Sequence, residues 1–224
     1  MKSTLIISEQ VGSKEHLQAA LLPYRHLKPY PRHFARFKIL MDPMFPRLAD
    51  FVQPGWKVID VGCGYGVPAA WLLAAYPDLK FLACEPNGER AGVTSRVLAD
   101  RGRVVQCSAM DLPLDNEKAD AVLCLDMLHY LSDQELGEFL VRIRSVLSLE
   151  GKLIIRATVP KPGFHFLRLV EWMKLKVKGI PYYYRGTGEL SRIIEQKGFH
   201  LDLVELSAPQ REEIWFISSA SFDD

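Results

Sequence analysis

The residues with the clearest chemical potential lie between Val58 and Glu85. The run Val58-Ile59-Asp60-Val61-Gly62-Cys63-Gly64-Tyr65-Gly66 is an apolar, strand-like stretch that enters three alternate glycines and then a helix-like segment. Glycines at such a turn let backbone N–H groups approach a ligand with no Cβ in the way. Glu85 closes the next apolar run, about 20 residues on, where a carboxylate can accept hydrogen bonds from both hydroxyls of a ribose. Together they describe a nucleoside-containing ligand held by backbone donors on one side and a carboxylate on the other.

Spacing separates two readings of that ligand. Dinucleotide-binding oxidoreductases carry G-x-G-x-x-G, whereas here the glycines are spaced G-x-G-x-G. Asp60, two residues before the first glycine, can hold the ammonium of a methionine moiety, and the same charge would repel a pyrophosphate. S-adenosylmethionine is therefore the expected cofactor. A nicotinamide-dependent oxidoreductase and a catalytically silent S-adenosylmethionine-binding protein are the alternatives.

Acceptor chemistry is expected beyond the carboxyl ends of the strands, where open α/β sheets bind ligands. That places Asp126, His129 and Tyr130 after the fourth strand and Arg156 near the end of the fifth in view. His129 can deprotonate a hydroxyl at neutral pH, and it can equally pack and hydrogen-bond locally. Arg156 on a covered strand must have a partner. That partner is either Asp126 on the adjacent strand or an anionic group of the acceptor.

The elements that must position these groups alternate. Strands are expected at Lys57 to Val61, Leu79 to Glu85, Arg103 to Cys107, Ala119 to Leu125 and Lys152 to Thr158. Val67 to Tyr76, Gly88 to Asp100 and Asp133 to Leu147 read as crossover helices, as in a parallel sheet covered on both faces. The last has Leu136, Phe139, Leu140, Ile143 and Leu147 on one face, with Ser132 and Glu135 as a capping box. A helix at Gly188 to Lys197 stops at Gly198, and Phe199 to Leu206 and Glu213 to Ser219 are too closely connected to be anything but antiparallel. The expected fold is thus α/β, a Rossmann-like three-layer sandwich whose mostly parallel seven-stranded sheet ends in a C-terminal antiparallel hairpin.

Two segments fall outside the alternation. Residues 1–56, punctuated by Pro23, Pro29, Pro31, Pro43, Pro46 and Pro54, read as an N-terminal helical cap of small helices. Residues 159–186 read as a lid insertion within a domain spanning 57–224. There Phe166, Leu169, Val170, Met173 and Val177 form one helical stripe, with Arg168, Glu171, Lys174 and Lys178 toward the other face.

At 224 residues the chain can bury one large core, and a formal net charge of +1 gives no overall reason to expect nucleic acid. The apolar run Leu5 to Ile7 is too short for a signal or a span, so a cytoplasmic protein is expected. Cys63, Cys84, Cys107 and Cys124 lie far apart with no C-x-x-C pair and no His at ligand spacing, so no metal site is expected. The basic and aromatic segment from Tyr24 to Lys38 and the basic face of the lid leave room for a carrier-protein or peripheral membrane contact.

From Lys57 to Ser219 the sequence resembles the class I S-adenosylmethionine methyltransferases. Their first motif matches Asp60, Gly62, Gly64 and Gly66, and their ribose-binding acid matches Glu85. Ala109-Met110-Asp111-Leu112-Pro113 looks like the segment that cradles adenine, and 119–131 is similar to the ubiquinone-biosynthesis-like subgroup. The runs Phe34 to Gly66 and Arg156 to Pro160 look more distantly like methyltransferases of aryl-polyene-type lipid and polyketide pathways. The resemblance implies a cofactor site of Asp60, Gly62, Cys63, Gly64, Gly66, Glu85, Pro86, Ser108, Ala109, Met110 and Leu125. The sequence departs from the pattern at Ser108, commonly an Asp that binds the adenine amino group, so that contact passes to Ser108, to backbone groups or to Asp111. The implied reaction is methyl transfer to a small or carrier-linked, partly apolar acceptor at oxygen or carbon, with His129 and Arg156 as candidate catalytic residues.

Overall fold

The computed structural model describes residues 11–114, 118–159 and 182–221. The chain divides into two compact units, Met1–Leu123 and Cys124–Asp224.

The first unit begins with short helices, α1 (Lys14–Leu21), α2 (Pro29–Met41) and α3 (Met44–Leu48). Prolines start two of these segments where a missing N–H costs nothing, Pro29 opening α2 and Pro43 preceding α3. Then β1 (Lys57–Val61), α4 (Val67–Ala75), β2 (Lys80–Cys84), α5 (Gly88–Leu98), β3 (Gly102–Val105) and the start of β4 (Ala119–Leu125) follow. After its exposed first lysine, each of β1 and β2 is wholly buried, as a strand covered on both faces requires. Helix α4, Val-Pro-Ala-Ala-Trp-Leu-Leu-Ala-Ala, is apolar all round and buried at all but two positions. His16 of α1 seals it: one ring nitrogen lies 3.0 Å from the Trp71 carbonyl, and the other accepts the Gly12 N–H.

The second unit continues from the end of β4 through α6 (Asp133–Val146), β5 (Leu147–Thr158), α7 (Thr187–Gln196), β6 (Phe199–Leu206) and β7 (Glu213–Ala220). The Ser132–Glu135 capping box is formed, and α6 buries Leu136, Phe139, Leu140 and Ile143, each contributing about 1.5–3 kcal/mol. In strand β6 Phe199 is buried and the following residues alternate exposed and half-buried, the period-two pattern of a strand with one more covered face.

The sheet has seven strands in the order β3-β2-β1-β4-β5-β7-β6, with β1 parallel to β2 and β4, and β7 antiparallel to both β5 and β6. This is the expected α/β, Rossmann-like sandwich with its C-terminal antiparallel hairpin. Among the boundaries that differ from the sequence reading, two have a visible cause. Strand β5 starts at Leu147, five residues early, because Leu147 leaves α6 directly into extended backbone (φ −67°, ψ 139°) and Gly151 sits inside the strand. Strand β3 ends at Val105, because the Cys107 N–H turns back to the Val105 carbonyl. Most of the proposed lid and its apolar stripe lie at 160–181, outside the described residues.

Candidate functional site

In the first unit, parallel register sets Val61 beside Cys84, so the glycine turn and Glu85 leave adjacent strands together. The Gly62 and Cys63 N–H groups both donate to the Cys84 carbonyl, at 2.9 and 3.0 Å, which ties the start of the turn to β2. Gly64 and Gly66 both have positive φ, +57° and +71°. At Gly66 a Cβ would also lie 2.9 Å from the Thr94 methyl, so strain and space both exclude a side chain. Thr94 is buried and donates to the Gly64 carbonyl at 2.7 Å, fixing the turn against α5. Around the Gly64 Cβ position nothing comes within 4 Å, which leaves backbone open to a ligand.

Both acids of this region are buried, Asp60 1 % and Glu85 5 % exposed. Glu85 accepts the Gly64 N–H on one oxygen and the Asn87 N–H on the other, each at 3.0 Å. Asp60 is in a different position, for its Oδ2 is buried without a hydrogen bond. Burial, and after it the charge of Glu85, raise its carboxyl to about 7. A buried carboxylate oxygen with no donor is costly, and a cationic ligand group would satisfy it. The residues present therefore fit an ammonium-bearing nucleoside such as S-adenosylmethionine.

Further contributors come from the N-terminal helices, which sequence reasoning had not connected to this loop. Tyr24 is fully buried and its hydroxyl donates to the Tyr65 carbonyl at 2.8 Å. Tyr30 and Phe34 pack on the Tyr65 ring, and the Arg90 guanidinium lies 5.6 Å from its centroid. The other named positions are less enclosed. Cys63 is buried and its thiol pushed up, first by burial and then by Asp60, so it stays protonated. Pro86 is exposed, and Ser108, Ala109 and Met110 are half-buried. The Ser108 hydroxyl donates to Asp111 at 2.6 Å, which holds that carboxylate beside Ser108. Cys84 and Cys124 are buried, Cys107 is half-buried, and all four cysteines are thiols.

In the second unit, half-buried Leu125 closes β4 and Asp126 follows in left-handed backbone, φ +57°, uncommon for a non-glycine residue. The Asp126 N–H donates to the Arg156 carbonyl at 2.8 Å, and its carboxylate meets the Arg156 guanidinium at 3.2 Å. Glu213, at the start of β7, is a second carboxylate for Arg156 at 3.5 Å. The Arg156 side chain is 1 % exposed, so this charge is enclosed between two acids and opens little surface to a ligand.

His129 sits in the short turn after β4, its ring stacked on Tyr182 at 4.3 Å and against Tyr130 at 4.2 Å. Burial, and then Arg185, lower its pKa to about 4, so the imidazole is neutral at physiological pH. Arg185 holds this turn in place. Its side chain pairs with Asp133 at 2.7 Å and donates to the carbonyls of Leu128 and Leu131 at 3.2 and 2.6 Å. The Tyr183 N–H donates to the His129 carbonyl at 2.8 Å. Arg185 and Tyr182 carry no motif and lie more than 50 residues from His129, so the sequence offered no signal for them.

Residues 58–151 match the family model described as methyltransferase domain. Over 77 residues the chain is 35 % identical to the ribosomal RNA small subunit methyltransferase G of Acidothermus cellulolyticus, covering 34 % of this chain and 32 % of that protein. Over 108 residues it is 31 % identical to the methyltransferase GfsG of Streptomyces halstedii, covering 46 % and 38 %. The chain thus spans about a third of the length of these curated relatives. Its fold is shared with mitomycin 7-O-methyltransferase MmcR (TM-score 0.67, 17 % identity, 90 % of this chain and 60 % of that one). It is also shared with CalO1, a methyltransferase of calicheamicin biosynthesis in its S-adenosylhomocysteine-bound form (TM-score 0.64, 16 % identity, 95 % and 71 %).

Sheet order and glycine turn are those of the Rossmann-like methyltransferase fold, and residues 58–151 carry the match to a methyltransferase domain. S-adenosylmethionine is its cofactor.

Proposed function

We propose that this chain transfers a methyl group from S-adenosylmethionine to oxygen or carbon of a small or carrier-linked acceptor with an aromatic or apolar body. The observation that carries the acceptor reading is the ring cluster of His129, Tyr130 and Tyr182, joined by Tyr184 on Tyr182 at 4.3 Å. Such rings take an aromatic or apolar body, and neutral imidazole and phenol groups orient its polar atom. The fold shared with a mitomycin 7-O-methyltransferase and with a methyltransferase of calicheamicin biosynthesis supports the same class of acceptor. Segment 119–131 supports a ubiquinone-biosynthesis-like affiliation, and the runs Phe34 to Gly66 and Arg156 to Pro160 support the narrower aryl-polyene-type one.

On the cofactor side, Asp60 takes the methionine ammonium, Gly62, Cys63, Gly64 and Gly66 present backbone to it, and Glu85 and Pro86 border the ribose. Ser108, Asp111, Ala109, Met110 and Leu125 border the adenine, with Asp111 accepting the adenine amino group through the position Ser108 holds it in. When bound, the cofactor supplies an electrophilic methyl on a sulfonium. The acceptor oxygen or carbon would take the methyl as the carbon–sulfur bond breaks, and the acceptor's proton would leave to water. Positioning supplies much of the rate in such a displacement. Accordingly, His129 orients the acceptor by accepting its hydrogen bond, and Arg156 acts by holding Asp126 rather than by touching the acceptor. The basic segment Arg25 to Lys38 is assigned to a larger anionic partner.

The test is incubation with methyl-labelled S-adenosylmethionine and a panel of phenols, aliphatic alcohols and carboxylic acids, with products read by mass spectrometry. Label in a phenolic or other apolar hydroxyl compound is the expected result. Tight S-adenosylhomocysteine binding with no transfer to any acceptor or cell extract would instead describe a silent binding protein.

A further inference from the structure

Helix α2 lays its side chains out in three sectors. At roughly 100° per residue, Pro31, Ala35 and Ile39 share one side, and all three are buried. Tyr30, Phe34, Phe37 and Met41 share a second, continued by Leu40. Arg32 and Arg36 fall between Leu40 and the buried row. The apolar sector faces outward: Tyr30 and Phe37 are each 66 % exposed, Met41 57 % and Leu40 54 %, with Leu22 of the preceding turn at 63 %. Single exposed apolar residues are ordinary, but five large ones within 20 residues, four of them on one side of a single helix, mark a contact surface.

Charge in the same segment has one sign. Between Glu15 and Asp42 stand Arg25, Lys28, Arg32, Arg36 and Lys38 with no Asp or Glu, in a chain whose total is only +1. Lys38 pairs with Asp42 at 2.8 Å. Among the described residues, Arg25, Lys28, Arg32 and Arg36 form no ion pair.

We propose that this face docks on an anionic lipid bilayer. A second copy of the chain meeting it face to face would oppose one cationic segment to another. An acidic protein would satisfy the cations, yet it would need a separate pocket for each apolar tip along a convex helix roughly 20 Å long. A bilayer interface accepts both, taking cations among its phosphates and Tyr, Phe, Leu and Met tips at the acyl boundary. Tyr30 and Phe34 also pack on Tyr65, at 5.9 and 5.2 Å, so the docked helix would lie directly on the cofactor loop. The suggestion that docking brings an apolar acceptor to that loop rests on the proposed function. Lipid binding itself does not.

The test is flotation of the full chain with vesicles of phosphatidylcholine alone or mixed with phosphatidylglycerol, at low and high salt. Binding to the anionic vesicles, weakened by salt, is expected, with little binding to the neutral ones. The double variants Arg32→Glu/Arg36→Glu and Phe37→Ser/Leu40→Ser should each lower vesicle partition about tenfold or more. All four positions are exposed, so S-adenosylhomocysteine binding and thermal unfolding should stay at the parent level. Equal partition to neutral and anionic vesicles, or none, overturns the proposal without recourse to any variant. So does poly-glutamate binding as strong as vesicle binding and indifferent to Phe37 and Leu40, which would assign the face to an acidic protein. A parent dimer that Phe37→Ser/Leu40→Ser converts to monomer would assign it to a second copy and also overturn it.

Discussion

The glycine turn of the first unit and the His129 turn of the second are both short loops at strand ends, yet they are built by opposite means. The first is fixed by backbone: positive φ at Gly64 and Gly66, and N–H groups bonded to the Cys84 carbonyl and to Glu85. The second is fixed by side chains from far along the chain, with Arg185 donating to Leu128 and Leu131 and Tyr182 stacking on His129. A backbone-defined loop tolerates almost no change and serves one ligand. A loop tied by side chains can be re-tied, as the acceptor-binding role proposed for it would require.

The sharpest way to break this comparison is to place a side chain in the glycine turn. Gly66→Ala must adopt φ near +71° and push against Thr94, so S-adenosylhomocysteine affinity should fall about 100-fold, toward the upper end of such strain costs. Calorimetric titration of the folded variant measures it, and near-parent affinity would mean the turn is not backbone-limited.

Asp60→Asn should weaken the same ligand by about 1.5–3 kcal/mol, the range for a hydrogen bond to a charged group, and it should do the opposite to the ligand-free fold. The Asp60 carboxyl titrates at about 7 when folded, against about 3.9 in an unfolded chain. Between those values the folded form holds the extra proton, so stability falls as pH rises through the window and the full cost persists above it. Asn removes that cost. Without ligand, the variant should therefore melt higher than the parent at pH 8 and no higher at pH 4. A variant that melts lower at pH 8 would show that the Asp60 charge is already paired.

Glu85→Gln keeps one acceptor oxygen and loses the charge, so a smaller loss of S-adenosylhomocysteine affinity, about tenfold, is expected. Unchanged affinity in the folded variant would remove Glu85 from the ribose assignment. His129→Phe keeps the stacking on Tyr182 and should lower kcat roughly fivefold, the worth of one neutral hydrogen bond, with cofactor affinity unchanged. Because burial and Arg185 hold His129 at about 4, the parent's pH–rate profile should show no step near 6.5. A step there that vanishes in His129→Phe would make His129 a titrating base.

How much could be read beforehand follows from the same contrast. Strands β1, β2 and β4, helix α6 with its Ser132–Glu135 cap, and the β6–β7 hairpin all rest on local pattern, and the sequence carries them within a residue or two. The glycine turn and its two acids were visible for the same reason, since φ and register depend on nearby residues. Tyr24 on the Tyr65 carbonyl, Arg185 on the His129 turn and Glu213 on Arg156 were not visible, because each joins segments at least 41 residues apart with no spacing rule. Strand β5 began early for a related reason: nothing in Leu147-Ser148-Leu149-Glu150 marks the direct passage from helix to strand.

The glycine turn as a site for an ammonium-bearing nucleoside is tested most directly by calorimetric titration with S-adenosylhomocysteine and with NADH at pH 6, 7 and 8. S-adenosylhomocysteine should bind at all three values and more tightly as pH rises through about 7, where Asp60 gives up its proton, while NADH should not bind. Tighter binding of NADH, or S-adenosylhomocysteine affinity that falls from pH 6 to pH 8, would contradict it.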